Sequence, residues 1–571
     1  MSTIAQAPAG NVPVRHFPLR SMLRLPLLPL LLAVILAGGC QSTAPAEESR
    51  LASIASGTMA PLLDGLGDHT MPISTDEARA QRFFDQGLVL AYGFNHAEAA
   101  RSFRAAQQLD PACAICYWGE ALVLGPNINA PMNPVDNNGA WTALQRARQL
   151  STAPHVSAKE QALIQALSHR YAETPPEDRT ALDRAYADAM RAMARQYPTD
   201  PDVQTLFAEA LMDTTHWDYW EEDNSPKPVT EEFTAAIEAA LSPNANHPGA
   251  NHLYIHAVES VHPEKGLAAA ERLDGLVPGT GHLVHMPGHI YIRTGRYHDA
   301  VRVNLDAAAA DERYVAQTKA QGFYPLMYYP HNLHFLWFAA MMGGESTVAI
   351  ETAEKIDATL SEDMIEVQRL RPVLVQALVR FERWDDILAL PAPVNERLYA
   401  RALWHYGRGL AHASAGTLDA ARSELEALRM IVDSEDAQAL EQPFFHGLSQ
   451  IRIAQHLLQA QLAGADGRDD AMIEHARAAV EIQDALPYME PPYWYYPARQ
   501  SLGAALLTTG RDAEAEAIYR EDLDYFAENG WSLHGLAQSL RAQNRSEEAE
   551  AVQKRFDKAW THADVTLSSL R

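Results

Sequence analysis

Small residues recur twelve positions apart along this chain, at Gly87 and Ala99, Gly288 and Ala300, Gly409 and Ala421, Gly503 and Ala515, and Ala537 and Ala549. Such an interval fits an antiparallel helical hairpin, with one small residue on each helix where the two backbones approach most closely. Gly503 and Ala537 lie 34 residues apart, so those two hairpins stack directly. A glycine stands five residues ahead of the second small residue at Gly295, Gly344, Gly416 and Gly510, where a tight turn must join the helices. No run reads as a strand. The spacing therefore predicts an all-α chain of tandem helical hairpins. With 571 residues, 47% of them hydrophobic, the core must be shared along a stack rather than gathered in one domain.

The stretch Phe83, Gly87, Ala99, Phe103, Ala106 and Pro111 resembles the tetratricopeptide repeat (TPR), a helix-turn-helix unit of 34 residues. This resemblance covers most of residues 80 to 563. The segments Gly281-His-Leu-Val-His-Met-Pro-Gly-His-Ile-Tyr291 and Cys116-Tyr-Trp-Gly119 are similar to those of a group of bacterial TPR proteins with no established activity. The resemblance implies a solenoid whose first helices line a concave groove, and a protein or peptide partner. Weaker units fall near 201 to 240, 247 to 280, 368 to 400 and 453 to 486. Gly125 to Asn138, Trp217 to Pro228, Gly322 to Pro330 and Tyr488 to Pro497 read as inserted loops, rich in Pro, Asn, Gly or aromatic residues. Such loops on a rigid scaffold either bind ligands or plug the hairpin ends.

The amino terminus has its own logic. Arg15, Arg20 and Arg24 precede an apolar run from Leu25 to Leu36, which ends in Ala37-Gly38-Gly39-Cys40. This pattern reads as a lipoprotein signal, residues 1 to 39, with the Cys40 thiol as the acylated anchor. Met22 would open a signal of conventional length, so translation need not start at Met1. The apolar run is too short to span a bilayer comfortably. Residues 40 to 75 then form a flexible tether, 76 to 346 an N-terminal solenoid and 347 to 571 a C-terminal one. The expected location is the cell envelope, and in a Gram-negative host the outer membrane facing the periplasm.

The formal net charge is −27, and removal of three arginines with the signal makes the mature chain more acidic still, which argues against a nucleic-acid partner. Two cysteines remain, Cys113 and Cys116, a C-x-x-C pair that is either a local disulfide or a soft metal site.

Ten of the 23 histidines lie between His247 and His334. On a helix, His282, His285 and His289 fit within an arc of roughly 60°. His252, His256 and Glu259 repeat that geometry, and His331 and His334 hold places equivalent to His282 and His285 one unit on. Neutral imidazole with carboxylate is a donor set for Zn²⁺, Fe²⁺, Cu²⁺ or Mn²⁺. His285 is central to its run, and His216 with Asp213 could add ligands from the preceding unit. Pro287 bears on this arc: if a helix starts there, His282 and His285 fall in a loop. The expected function is a lipid-anchored TPR solenoid that holds a divalent transition metal in its groove. The alternative is a metal-free scaffold for a peptide. No nucleophile elbow, phosphate loop or HExxH motif names a reaction. For the anchor, Cys40→Ser should leave a soluble or unprocessed precursor, and a mature-sized variant that still fractionates with membranes would refute the lipoprotein reading.

Overall fold

Phe103 shows how the spacing becomes tertiary structure. Its ring is fully buried, and a Cβ added at Gly87 or Gly119 would lie 2.8 or 2.5 Å from it, so only glycine fits on the helices that flank it. Tyr519 is held in the same way between Gly503 and Gly535. Ala99, Ala300, Ala421, Ala515, Ala537 and Ala549, the partners predicted by the twelve-residue interval, are all buried. The turn glycines Gly295, Gly344, Gly416 and Gly510 have φ between 73° and 77°, the left-handed region that explains their residue type.

These relationships come from a computed structural model, which describes residues 60–215, 217–360, 370–394 and 397–567. The expected signal and Cys40 lie outside the described residues, as does His216. The described chain is an all-α array of helical hairpins, with only isolated bridges at Asn127–Ala130 and Trp220–Pro226. Among the described residues no helix is long and apolar enough to cross a membrane. The helices that matter for the site are α1 (Ala78–Tyr92), α2 (Pro201–Met212), α3 (Pro248–Val258), α4 (Gly281–His285), α5 (Pro287–Arg293), α6 (Tyr297–Thr318) and α7 (Phe323–Gly343). Proline opens α2 and α3 at the first turn, where its missing N–H costs no hydrogen bond.

Three features differ from the sequence reading. Residues 60 to 75, expected in a flexible tether, are packed: Met71 is fully buried, and the Leu63 and Ser74 N–H groups donate to Gln86 and Glu160 at 2.8 Å. The segment Gly322 to Pro330, expected as a loop, is the first half of α7, with Pro330 inside the helix. The expected boundary at 346 and 347 falls in the first turn of the helix Ser346–Thr359, which packs on α7. Cys113 and Cys116 form a disulfide.

The array also returns on itself. Trp531 donates from Nε1 to the Met341 carbonyl at 3.1 Å, and the Asp564 carboxylate accepts from the Ser346 and Thr347 N–H groups at 2.7 and 2.9 Å. The final hairpin, Gly530–Ala542 with Ser546–Ala559, thus lies against the hairpin headed by α7. Ala515→Phe should overpack the crossing next to Tyr519 and lower stability by about 1 to 3 kcal/mol or more. A thermal melt unchanged by this substitution would refute the assigned crossing.

Candidate functional site

Three first helices bring the histidines together. In α3, His252 and His256 are one turn apart on the same face, and Glu259 follows at the helix end. Pro287 divides α4 from α5, yet Met286 between them keeps helical dihedrals (φ −52°, ψ −38°), so the face continues through the break. His282, His285 and His289 therefore stay aligned, with ring centroids 5.7 and 4.7 Å apart along the row. The ring of His256 lies 5.4 Å from that of His289, and His331 of α7 lies 4.8 Å from His285. One continuous cluster results.

An open groove was expected to house these residues, but the cluster is interior. His252, His256, Glu259, His282, His285 and His289 are each at most 4% exposed, and His331 is half-buried. The cover comes from outside the repeat register. Phe94 packs its ring 4.5 Å from His252 and 5.4 Å from His282, and Tyr328 sits 4.6 Å from His282. The Trp217 ring meets His256 at 4.9 Å and is fixed by its Nε1 donating to the Ile128 carbonyl, which joins two of the inserted loops. A fourth contribution comes from Glu490, in the loop that follows the helix Asp469–Asp484.

Hydrogen bonds decide where the lone pairs point. His252 donates from Nδ1 to the Tyr92 carbonyl at 2.6 Å, which leaves its Nε2 as the lone-pair nitrogen. His256 donates from Nδ1 to Glu259 at 3.2 Å, with the same result. Both of those Nε2 atoms, and both ring nitrogens of His282, are buried without a hydrogen-bond partner. A nitrogen from each of His252, His256 and His282 lies within 4.8 Å of the other two. Burial, reinforced by repulsion among like neighbours, pushes the pKa of His252, His256, His282 and His285 well below the ordinary histidine value. Uncharged imidazole is the metal-binding form.

His289 is different. Its Nδ1 stands 2.8 Å from Glu259 and 2.6 Å from Glu490, ion-pair distances at which neither contact has the direction of a hydrogen bond. Burial acts to lower its pKa, but the two carboxylates outweigh burial and hold it up at about 10. Burial, and then the charge of Glu259, raise the pKa of Glu490.

Other expected ligands are placed elsewhere. His334 stacks on Trp337 at 5.2 Å and belongs to none of the ligand-type clusters among the described residues. Asp213 is paired with Arg170 at 2.5 Å in a separate buried ion pair. Conversely, the sequence reading missed His69 and His247. Both point Nε2 at Asp202 Oδ1, at 3.0 and 3.2 Å, and the Tyr92 hydroxyl donates to the same oxygen at 2.9 Å. His247 also caps α3, its Nδ1 accepting from the Ala250 N–H at 3.1 Å, so its proton is on Nε2. These three contacts converge on one carboxylate oxygen and act as a clasp that fixes the segment around residue 69 to α1, α2 and α3. Burial acts to raise the Asp202 pKa, but the hydrogen bonds from His247 and His69 override it and keep the carboxylate ionised.

Phe94 was legible and missed. It stands five residues before Ala99, the place glycine holds at four other turns, and it keeps the left-handed backbone there (φ 55°). An aromatic residue tolerates this conformation only with strain.

No protein-family model matches this chain, and no curated protein sequence does so at a significant level. Solved structures similar to it include the human IFIT1 dimer with m7Gppp-AAAA, at 11% identity over 90% of this chain and 94% of that one, with a TM-score of 0.31. The APC/C hetero-tetramer Cut9-Hcn1 matches at 13% identity over 90% of this chain and 81% of that one (TM-score 0.29), and yeast Tom70 at 11% over 84% and 90% (TM-score 0.28).

Phe94→Gly would relieve about 1 kcal/mol of backbone strain but remove a buried ring whose deletion typically costs about 3 to 5 kcal/mol. The variant should therefore melt at a lower temperature than the wild type. An equal or higher melting temperature would show that the ring does not close the cluster.

Proposed function

We propose that this protein binds a transition-metal ion in its interior, held by the Nε2 atoms of His252 and His256 and by a ring nitrogen of His282, and that it does so at the cell envelope, anchored through Cys40. The observation that carries the reading is the set of buried, partnerless imidazole nitrogens converging from α3 and α4. Leaving several such atoms unpaired costs about 1 to 3 kcal/mol each, a cost that coordination removes. The Tyr92 carbonyl on His252 and the Glu259 carboxylate on His256 occupy the positions at which metal-binding imidazoles are usually held by an outer hydrogen bond.

Three nitrogen donors suit Zn²⁺, Fe²⁺, Cu²⁺ or Mn²⁺. A bound ion would supply Lewis acidity and one position for water or a small ligand, as in three-histidine catalytic sites rather than closed structural ones. The chain's own residues would shape that position: Phe94, Trp217 and Tyr328 exclude bulk water, and Glu259 orients His256.

Elemental analysis of the purified full chain, as isolated and after loading with each of the four metals, should find stoichiometric metal. His252→Ala with His282→Ala should remove one ion per chain while the circular dichroism stays helical. Glu259→Gln should weaken binding by about 10- to 100-fold, the usual loss when such an outer partner is removed. Absence of stoichiometric metal under every loading condition would overturn the proposal and leave a metal-free helical scaffold as the better account.

A further inference from the structure

Resting on that reading, we propose a second metal position directly beside the first, formed by His285, His289 and His331, so that the cluster is a two-ion centre. One nitrogen from each of these residues lies within 4.8 Å of the other two, the same closeness as in the first triad.

The proton positions carry the argument. Asn304 donates from Nδ2 to the Ala300 carbonyl at 2.8 Å, which fixes the amide and turns its Oδ1 toward His285 Nδ1 at 2.7 Å. His285 therefore keeps its proton on Nδ1 and presents a lone pair on Nε2. That lone pair faces His289 Nε2 at 2.9 Å. On the opposite edge of His289, Nδ1 looks onto the carboxylates of Glu259 and Glu490, which demand a proton there. Without a metal, the proton of His289 Nε2 fills this contact, donated to the His285 lone pair, and a metal ion entering here would take that proton's place. A tetrahedral ion with metal–nitrogen distances of about 2.0 to 2.1 Å needs its nitrogens roughly 3.3 Å apart, so the rings would separate by only a few tenths of an ångström. His331, half-buried and 4.8 Å from the His285 ring, offers the third nitrogen from α7.

Two members of each triad share one design, with an oxygen against the Nδ1 edge and the Nε2 edge facing inward: His252 and His256 in the first, His285 and His289 in the second. Glu259 serves both, with Oε1 on His256 and Oε2 on His289. A single carboxylate thereby orients one ligand of each ion.

The test uses the full chain, stripped with a chelator and titrated with Zn²⁺ by calorimetry, with elemental analysis of the product. Two ions per chain are expected in the wild type. His331→Ala, a change at a partly exposed position, and His285→Ala should each leave one ion, with His252→Ala/His282→Ala removing the other. In the Cu²⁺-loaded wild type, electron paramagnetic resonance should show the broadened or coupled signal of adjacent ions, and in His331→Ala an isolated one. One ion in the wild type, insensitive to His331→Ala and His285→Ala, would overturn the second position and leave the first intact. Two ions that persist in both single variants would overturn it too, by placing the second ion elsewhere. No ion at all would remove the reading on which the proposal rests.

Discussion

Lone pairs of buried imidazoles without donors are the constraint on which the rest of this structure depends. A buried polar atom without a partner costs about 1 to 3 kcal/mol, and the net stability of a protein is only about 5 to 15 kcal/mol. The orphaned nitrogens of His252, His256 and His282, with the crowded Glu259–His289–Glu490 contact, therefore draw on a large share of that margin. The hairpin array can carry this because its core is extensive and closely packed, with rings such as Phe103 and Tyr519 set against glycines.

The order inside the cluster is imposed from its edges. On one side, the carbonyl of Tyr92 at the end of α1 fixes His252, and the hydroxyl of the same residue joins the Asp202 clasp. On another, Asn304 of α6 fixes His285. Glu490 arrives from the C-terminal half and joins Glu259 in setting the charge of His289. Neutral imidazoles on the α3 side and a charged one beside the carboxylates follow from these partners.

Much of this was legible in one sequence. The twelve-residue interval gave the hairpins, and the turn glycines gave their junctions. The spacing of His252, His256 and Glu259, and of His282, His285 and His289, set each row on one helix face. What periodicity cannot carry is the direction in which successive hairpins curve, since small rotations accumulate from unit to unit. Nor does periodicity place Phe94, Trp217 and Glu490, which cover the cluster, or the packed segment around His69. His334 shows the limit on a finer scale. It sits one short helical step beyond His331, yet its ring stacks on Trp337 and is lost to the cluster. Phe94 needed no structure at all, only attention to an aromatic residue in a glycine's place.

The contact between Glu490 and His289 joins residues some two hundred positions apart, in a molecule whose other contacts are mostly between neighbouring hairpins. Repeat arrays tend to fray from their ends, because each unit answers only to the next. Here α1, α3, α4, α5, α7 and the loop bearing Glu490 meet in one small volume, so no segment among them can open without exposing charges and imidazoles that the others hold in place. The cluster thus acts as a keystone, coupling the opening of hairpins that a simple repeat array would leave independent of one another.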